Sequence, residues 1–278
     1  MNFRSSPVDF AHEVLVFVHV PKTAGSAFLQ AFDERFGPNE RLETRMEKVD
    51  RIYLSSFAAR SFRAEQSFKN GMSELFGIER LLPRGSKRSM LQQIKLLSGH
   101  VTLGNEPKTG RLPLYLTLVR DPIERFISHY YYLHDLAQPE QRRRERQAAR
   151  IYGLEDYVNR LASGALIGPT NVHCLFLAGN ESFEAARRVV DEKVFLAAPS
   201  ERLDEFLALL SMSCGVGPIT ASRSNVGAAR QTAERPSPAT IDKIRTLVGE
   251  DLRLVDYVGS QFDHLVRAQA DERASQRA

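Results

Sequence analysis

One run near the start of the chain constrains the fold more than any other feature. Glu13-Val-Leu-Val-Phe-Val-His-Val20 passes directly into Pro21-Lys-Thr-Ala-Gly-Ser26. A strand with one wet face would alternate apolar and polar residues. Val14 to Val18 is apolar throughout and rich in β-branched side chains, the pattern of a strand covered on both faces in a parallel sheet. After Ser26, Phe28, Leu29, Phe32 and Phe36 recur at helical spacing over Ala27 to Phe36, and Gly37-Pro38 ends the pattern. Residues 13–37 therefore predict strand, short loop, helix. The start of a helix offers N–H groups without intrahelical acceptors and a partial positive charge, which suits an anion such as phosphate. Lys22 adds a full charge, Thr23 and Ser26 add hydroxyls, and Gly25 permits close backbone approach. The spacing G-x-x-x-x-G-K-[ST] is absent, because this loop is shorter and its lysine precedes its glycine. Taken alone, the segment is also compatible with an ordinary strand-to-helix turn.

Leu114 to Val119 predicts a second buried strand, running into Arg120-Asp-Pro-Ile-Glu124. Asp121 suits the N-cap, Pro122 the first helical position and Glu124 the capping-box position. Ile123, Phe126, Ile127 and Tyr130 continue as an apolar stripe. Arg120 falls at a strand end, where open α/β sheets bind ligands, with Ser128 two turns into the helix that follows. Each alone is commonplace; with Lys22 they would offer a second anion site. Lys95 to Val101 predicts a short strand ending near Gly99, and Lys193 to Ala198 another. Ser200 is expected to cap a helix through Leu210. Leu154 to Ala162 predicts a helix. Ser237-Pro238 opens a last one with Ile241, Ile244, Leu247, Val248, Leu252 and Val255 on one face. Residues 38–90 are charged and mixed, and predict helices and loops. The alternation of strands and helices predicts one α/β domain over residues 13–267, a central parallel sheet flanked by helices, with tails at 1–12 and 268–278.

Composition narrows the function classes. Lys and Arg number 38 against 34 Asp and Glu, and this net charge of +4 suits a small polyanion without demanding nucleic acid. Cys174 and Cys214 make neither a disulfide framework nor a zinc pattern, and no metal cluster is apparent. No apolar run approaches the roughly 20 residues of a membrane helix, and the first residues lack a signal-peptide pattern. The expectation is a soluble, cytoplasmic protein.

Val18-His-Val-Pro-Lys-Thr-Ala-Gly-Ser26 resembles the 5′-phosphosulfate-binding loop of sulfotransferases, and Leu118-Val-Arg-Asp-Pro-Ile-Glu-Arg-Phe-Ile-Ser-His-Tyr130 resembles their 3′-phosphate-binding segment. The branch most similar holds the heparan sulfate and uronyl 2-O-sulfotransferases and bacterial relatives. The resemblance implies a P-loop-like sulfotransferase fold and 3′-phosphoadenosine 5′-phosphosulfate (PAPS) as sulfuryl donor, with no metal. By position, Lys22, Thr23, Ala24, Gly25 and Ser26 would cradle the 5′-phosphosulfate, and Arg120 and Ser128 the 3′-phosphate. His100, after Gly99 at a strand end, matches the catalytic base of that branch. A second histidine often stands two residues earlier there, where this chain has Ser98. His19, His129 and His173 compete with His100 for the role. The implied acceptor is a hydroxyl of a carbohydrate or glycoconjugate, and Lys22 would neutralise charge on the leaving phosphate.

Some features leave alternatives open. Tyr130-Tyr131-Tyr132 offers aromatic faces to a sugar, yet on a helix the three diverge and at least one belongs to the core. The arginines from Arg142 to Arg150 read as a solvated helix face or as a rim attracting an anionic acceptor. Arg223-Ser-Asn225, in the long polar segment 215–237, would close over the donor's adenosine or simply be a surface loop. Two other functions compete: a nucleotide or small-molecule kinase, and a non-catalytic module binding phosphoadenosine or a sulfated glycan.

Overall fold

The computed structural model describes residues 1–4, 6–33, 35–37, 40–44, 92–135, 143–220 and 236–277. The first apolar run forms β1 (Glu13–Val18), buried along its whole length. It lies between β3 (Leu96–Gly99) and β4 (Leu112–Val119). Outside these are β2 (Arg41–Thr44) and β5 (Val194–Pro199), giving the order β2-β3-β1-β4-β5. All four pairings are parallel. The register sets Val18 of β1 level with Gly99 and with Thr117. The residues that follow β1, β3 and β4 therefore emerge together at one edge of the sheet.

Strand periodicity explains the two layers of helix. Leu15 and Phe17 face one side, packing with Phe28 and Phe32 of α1 (Gly25–Asp33) and with Phe206 and Leu210 of α7 (Leu203–Cys214). Val14, Val16 and Val18 face the other, against Leu175 and Phe176 of α5 (Val172–Ala178) and Leu254 and Val258 of α9 (Gly249–Arg277). A strand sandwiched this way has no wet face, which is why its sequence does not alternate. A third cluster is wholly helical. It joins α2 (Pro122–Asp135) to α3 (Arg143–Ile151), α4 (Leu154–Ala162) and α8 (Pro238–Leu247) through Phe126, Tyr130, Ala149, Val158 and Ile244. α6 (Phe183–Glu192) precedes β5. No helix among the described residues is long and apolar enough to cross a membrane.

Several expectations are corrected. The first helix begins at Gly25, inside the motif, and closes at Asp33. Arg41 to Thr44, within a stretch expected to hold helices and loops, is an edge strand; one leucine among three polar residues at a sheet edge carries little apolar signal. Ser200 does not cap α7. It opens a 3₁₀ turn, Ser200–Arg202, and its hydroxyl donates to Glu201 at 3.2 Å. The single last helix is two, α8 and α9, broken at Val248. Ser237 caps α8 as expected, accepting from the Thr240 N–H at 3.2 Å. α9 continues to Arg277, through most of the stretch 268–278 read as a tail. The first residues pack rather than trail: the Asn2 N–H donates to the Val194 carbonyl at 2.9 Å, and the Phe3 ring lies 5.4 Å from that of Phe195.

Candidate active site

Between β1 and α1 the backbone takes an unusual path. Lys22 and Ala24 have φ of 71° and 60°, in the left-handed region, while Thr23 between them and Gly25 after them do not. Alternating backbone hand turns successive N–H groups toward a common point, a concavity that suits an anion. Left-handed backbone is unfavourable for residues with a Cβ, by about 1–3 kcal/mol each. Three bonds hold the loop against this: Thr23 Oγ1 donates to the Val20 carbonyl at 2.8 Å, Phe28 N–H to the Ala24 carbonyl at 3.1 Å, and Arg120 Nη1 to the Lys22 carbonyl at 3.2 Å. Burial of Phe28 and Phe32, about 1.5–3 kcal/mol each, is of the same order as the strain. Gly25 has an ordinary φ. One reading of the sequence changes here. The Thr23 hydroxyl, expected to face the ligand, is buried and donates its hydrogen bond to the Val20 carbonyl. Ser26 is exposed at the start of α1.

Arg120 follows β4, beside the loop, and its bond to Lys22 joins segments 98 positions apart. The helix behind it starts as its sequence demands: Asp121 Oδ1 accepts from the Glu124 N–H at 2.7 Å, with Pro122 in the first position. Glu124, Ser128 and Tyr132 are spaced i, i+4 and share one face of α2. Arg120 Nη2 lies 3.9 Å from Glu124 Oε2, and Lys22 Nζ lies 4.8 Å from the centre of the Tyr132 ring. The loop therefore packs along this face, and half-buried Ser128 stands between the two contacts. Of the tyrosine triplet, Tyr130 is the core member, its hydroxyl donating to the Tyr152 carbonyl at 2.8 Å. Tyr132 is 44% exposed beside Lys22.

His19 and His100 leave neighbouring strands at the same level. The His19 N–H donates to the Gly99 carbonyl at 3.0 Å, and the two imidazoles stack with centroids 4.1 Å apart and 24° between planes. Burial, and then the neighbouring His100, push the His19 pKa down to about 3, so this ring is uncharged at neutral pH. The competitors for the role of base separate by environment. His129 packs toward the Tyr132 ring at 6.3 Å, whereas His173 is fully buried.

His173 belongs to a network that the sequence did not announce. Its Nε2 accepts from the Arg120 backbone N–H at 3.2 Å, so the proton is on Nδ1, which donates to Asp251 Oδ2 at 2.8 Å. Asp251 also accepts from the N–H groups of His173 and Cys174, both at 2.9 Å, and so caps α5 from a distant helix. Asn171 returns the arrangement. Its Oδ1 accepts from the Asp251 N–H at 3.0 Å, in the first turn of α9, and its Nδ2 donates to the Leu247 carbonyl at the end of α8 at 3.2 Å. The break between α8 and α9 exists because one amide satisfies both exposed ends. Burial alone would raise the Asp251 carboxyl; His173, with Arg125 and the Cys174 N–H, outweighs it and holds the carboxyl below its usual range. Asp251 and His173 are both 0% exposed. The only local hint of this role is that Asp251 is one of two acids, with Glu250, in the first turn of an apolar-periodic helix, since its partners lie about 80 positions earlier.

The site thus brings together Lys22, Thr23, Ala24, Gly25, Ser26, Arg120, Ser128 and His100 at one edge of the sheet. Arg223, Asn225 and Arg142 lie outside the described residues, as does most of 38–90. No protein-family model matches the chain. Heparan sulfate 2-O-sulfotransferase 1 of Gallus gallus is 28% identical over 128 residues, 40% of this chain and 35% of that relative. The chain therefore matches about a third of the length of that protein. Among solved structures, mouse sulfotransferase SULT7A1 complexed with PAP aligns with a TM-score of 0.49 at 13% identity, over 95% of this chain and 91% of that one. The chain resembles sulfotransferases.

Proposed function

We propose that this protein is a sulfotransferase that moves a sulfuryl group from PAPS to a hydroxyl of a carbohydrate or glycoconjugate. The observation that carries the reading is the joining of two anion-binding segments, the Lys22–Ser26 loop and Arg120, with an imidazole at the end of the adjacent strand. The donor carries anionic groups at two places, and the residues present fit it. Convergent N–H groups and Lys22 suit the 5′-phosphosulfate; Arg120 and Ser128 suit the 3′-phosphate. When bound, the donor supplies a sulfuryl group on a phosphate leaving group.

The protein's own contribution is position and charge. Sulfuryl transfer resembles phosphoryl transfer, in which alignment and neutralisation lower the barrier. His100 accepts the proton that the acceptor hydroxyl gives up as its oxygen bonds to sulfur, a role typically worth about 10²–10⁴-fold. Lys22 and the start of α1 stabilise the charge gathering on the departing phosphate oxygen. Support for a carbohydrate acceptor comes from the name of the chicken relative and from the exposed Tyr132 ring beside Lys22, a flat surface for a sugar.

Calorimetric titration with 3′-phosphoadenosine 5′-phosphate (PAP), against AMP and ATP with and without magnesium, tests the reading. The expected result is magnesium-independent binding that needs the 3′-phosphate and loses that preference in Arg120→Ala. His100→Ala should bind PAP as the wild type does while losing transfer to heparan sulfate. Preference for magnesium-ATP, or no binding, overturns the proposal.

A further inference from the structure

Gly25 has no conformational reason to be glycine. It opens α1 with an ordinary φ, where alanine is the better helix former. Its reason is spatial: a Cβ on Gly25 would fall on the His19 imidazole. His19 is held on its other sides as well. It lies 5.5 Å from the Phe17 ring, which stacks at 4.0 Å on Phe28 of α1, and it stacks on His100 at 4.1 Å. Phe28, Phe17, His19 and His100 form one column of rings running from the core to the edge of the sheet.

The end of that column needs such a support. The last torsion of a histidine side chain joins sp³ to sp² carbon, so its rotamer preference is broad and roughly two-fold. A ring at a strand end is therefore not aimed by its own backbone, yet a proton acceptor must be aimed. A flat, uncharged neighbour fixes the plane of the His100 ring without repelling a proton placed on it. We propose that His19 is a positioning residue for His100, and that Gly25 is glycine to leave room for it. This rests on the reading of His100 as the base.

A double-mutant cycle of His19→Ala and Gly25→Ala tests the idea on the full chain labelled with ¹³C-histidine. Stacking is read from the His100 ring signals in the free protein. Each single substitution should move those signals, and the double variant should match His19→Ala. PAP affinity should stay within about threefold in His19→Ala. Transfer from PAPS to heparan sulfate should fall about 10- to 100-fold in each single variant and no further in the double. Unmoved His100 signals in His19→Ala overturn the inference, and this arm stands even if Gly25→Ala does not fold. It is equally overturned if Gly25→Ala weakens PAP binding tenfold in both backgrounds, since the glycine then serves the anion. A wild type that fails to bind PAP overturns the proposed function itself, whereas one that binds PAP with His100 indifferent to His19 overturns only this inference.

Discussion

His19 illustrates how one residue ties the site to stability. Its pKa in the fold is about 3, against the usual 6.5, because burial and then His100 disfavour the charged ring. Below about 6.5 the unfolded chain binds a proton there, while the folded chain does not until about 3. Between these limits the unfolded state holds more protons, so stability rises with pH; it is fully present above about 6.5 and is lost as pH falls. Replacing His19 with Ala should make unfolding free energy less steep against pH between about 4 and 6, by up to one proton, or ~1.4 kcal/mol per pH unit. Urea titrations at several pH values measure this, and an unchanged slope would place His19 in water. At this scale the sequence was informative about charge and silent about contact. Lys22, Arg120 and His100 stand out by type and by place at strand ends. That Gly25 answers to a histidine, and that the Thr23 hydroxyl donates a hydrogen bond to the Val20 carbonyl, depends on which groups meet, and spacing does not encode that.

Among elements, the ones with local causes were legible. β1 and β4 show as predominantly apolar runs, the start of α2 shows in Asp121-Pro122, and α8 starts after Ser237, whose hydroxyl accepts from the Thr240 N–H. The elements that were missed have remote causes. β2 is a strand because β3 offers it a partner, and the α8–α9 break is made by Asn171, 76 positions from Leu247. The mutual capping of α5 and α9 by Asp251 and Asn171 also fixes the backbone of Arg120 through His173. Asp251→Asn leaves the buried donors of His173 and Cys174 with a poorer partner, and a buried polar group left unsatisfied typically costs about 1–3 kcal/mol. The expected result is a clear loss in urea-induced unfolding. Where Asp251→Asn still folds, PAP should lose part of its advantage over AMP. A variant as stable as the wild type would show that the network adds no net stability.

For the whole molecule, the sheet order has a thermodynamic consequence. Arg120 and the Lys22–Ser26 loop belong to strands that the chain joins only after passing through β2 and β3, so a ligand held by both ties the halves of the sheet. PAP binds only the folded chain in this picture, and at 100 times its Kd should stabilise it by ~2.7 kcal/mol. The expected outcome is a higher Tm in thermal unfolding, with a smaller rise for AMP at equal concentration; equal rises would remove the 3′-phosphate from the account. The sequence by itself determined the α/β class, the central buried strands, the loop chemistry at Lys22 and the charge at Arg120. Each of these is a property of a few neighbouring residues, written in hydrophobic period, capping residues and residue type. Only the tertiary structure decided that β1 lies between β3 and β4, that His19 stacks on His100 and fills the space beside Gly25, and that Asp251 holds His173 against Arg120. Those contacts join residues up to about 100 positions apart, and they arise from the register of parallel strands and the packing of helices on both faces, which no local pattern records.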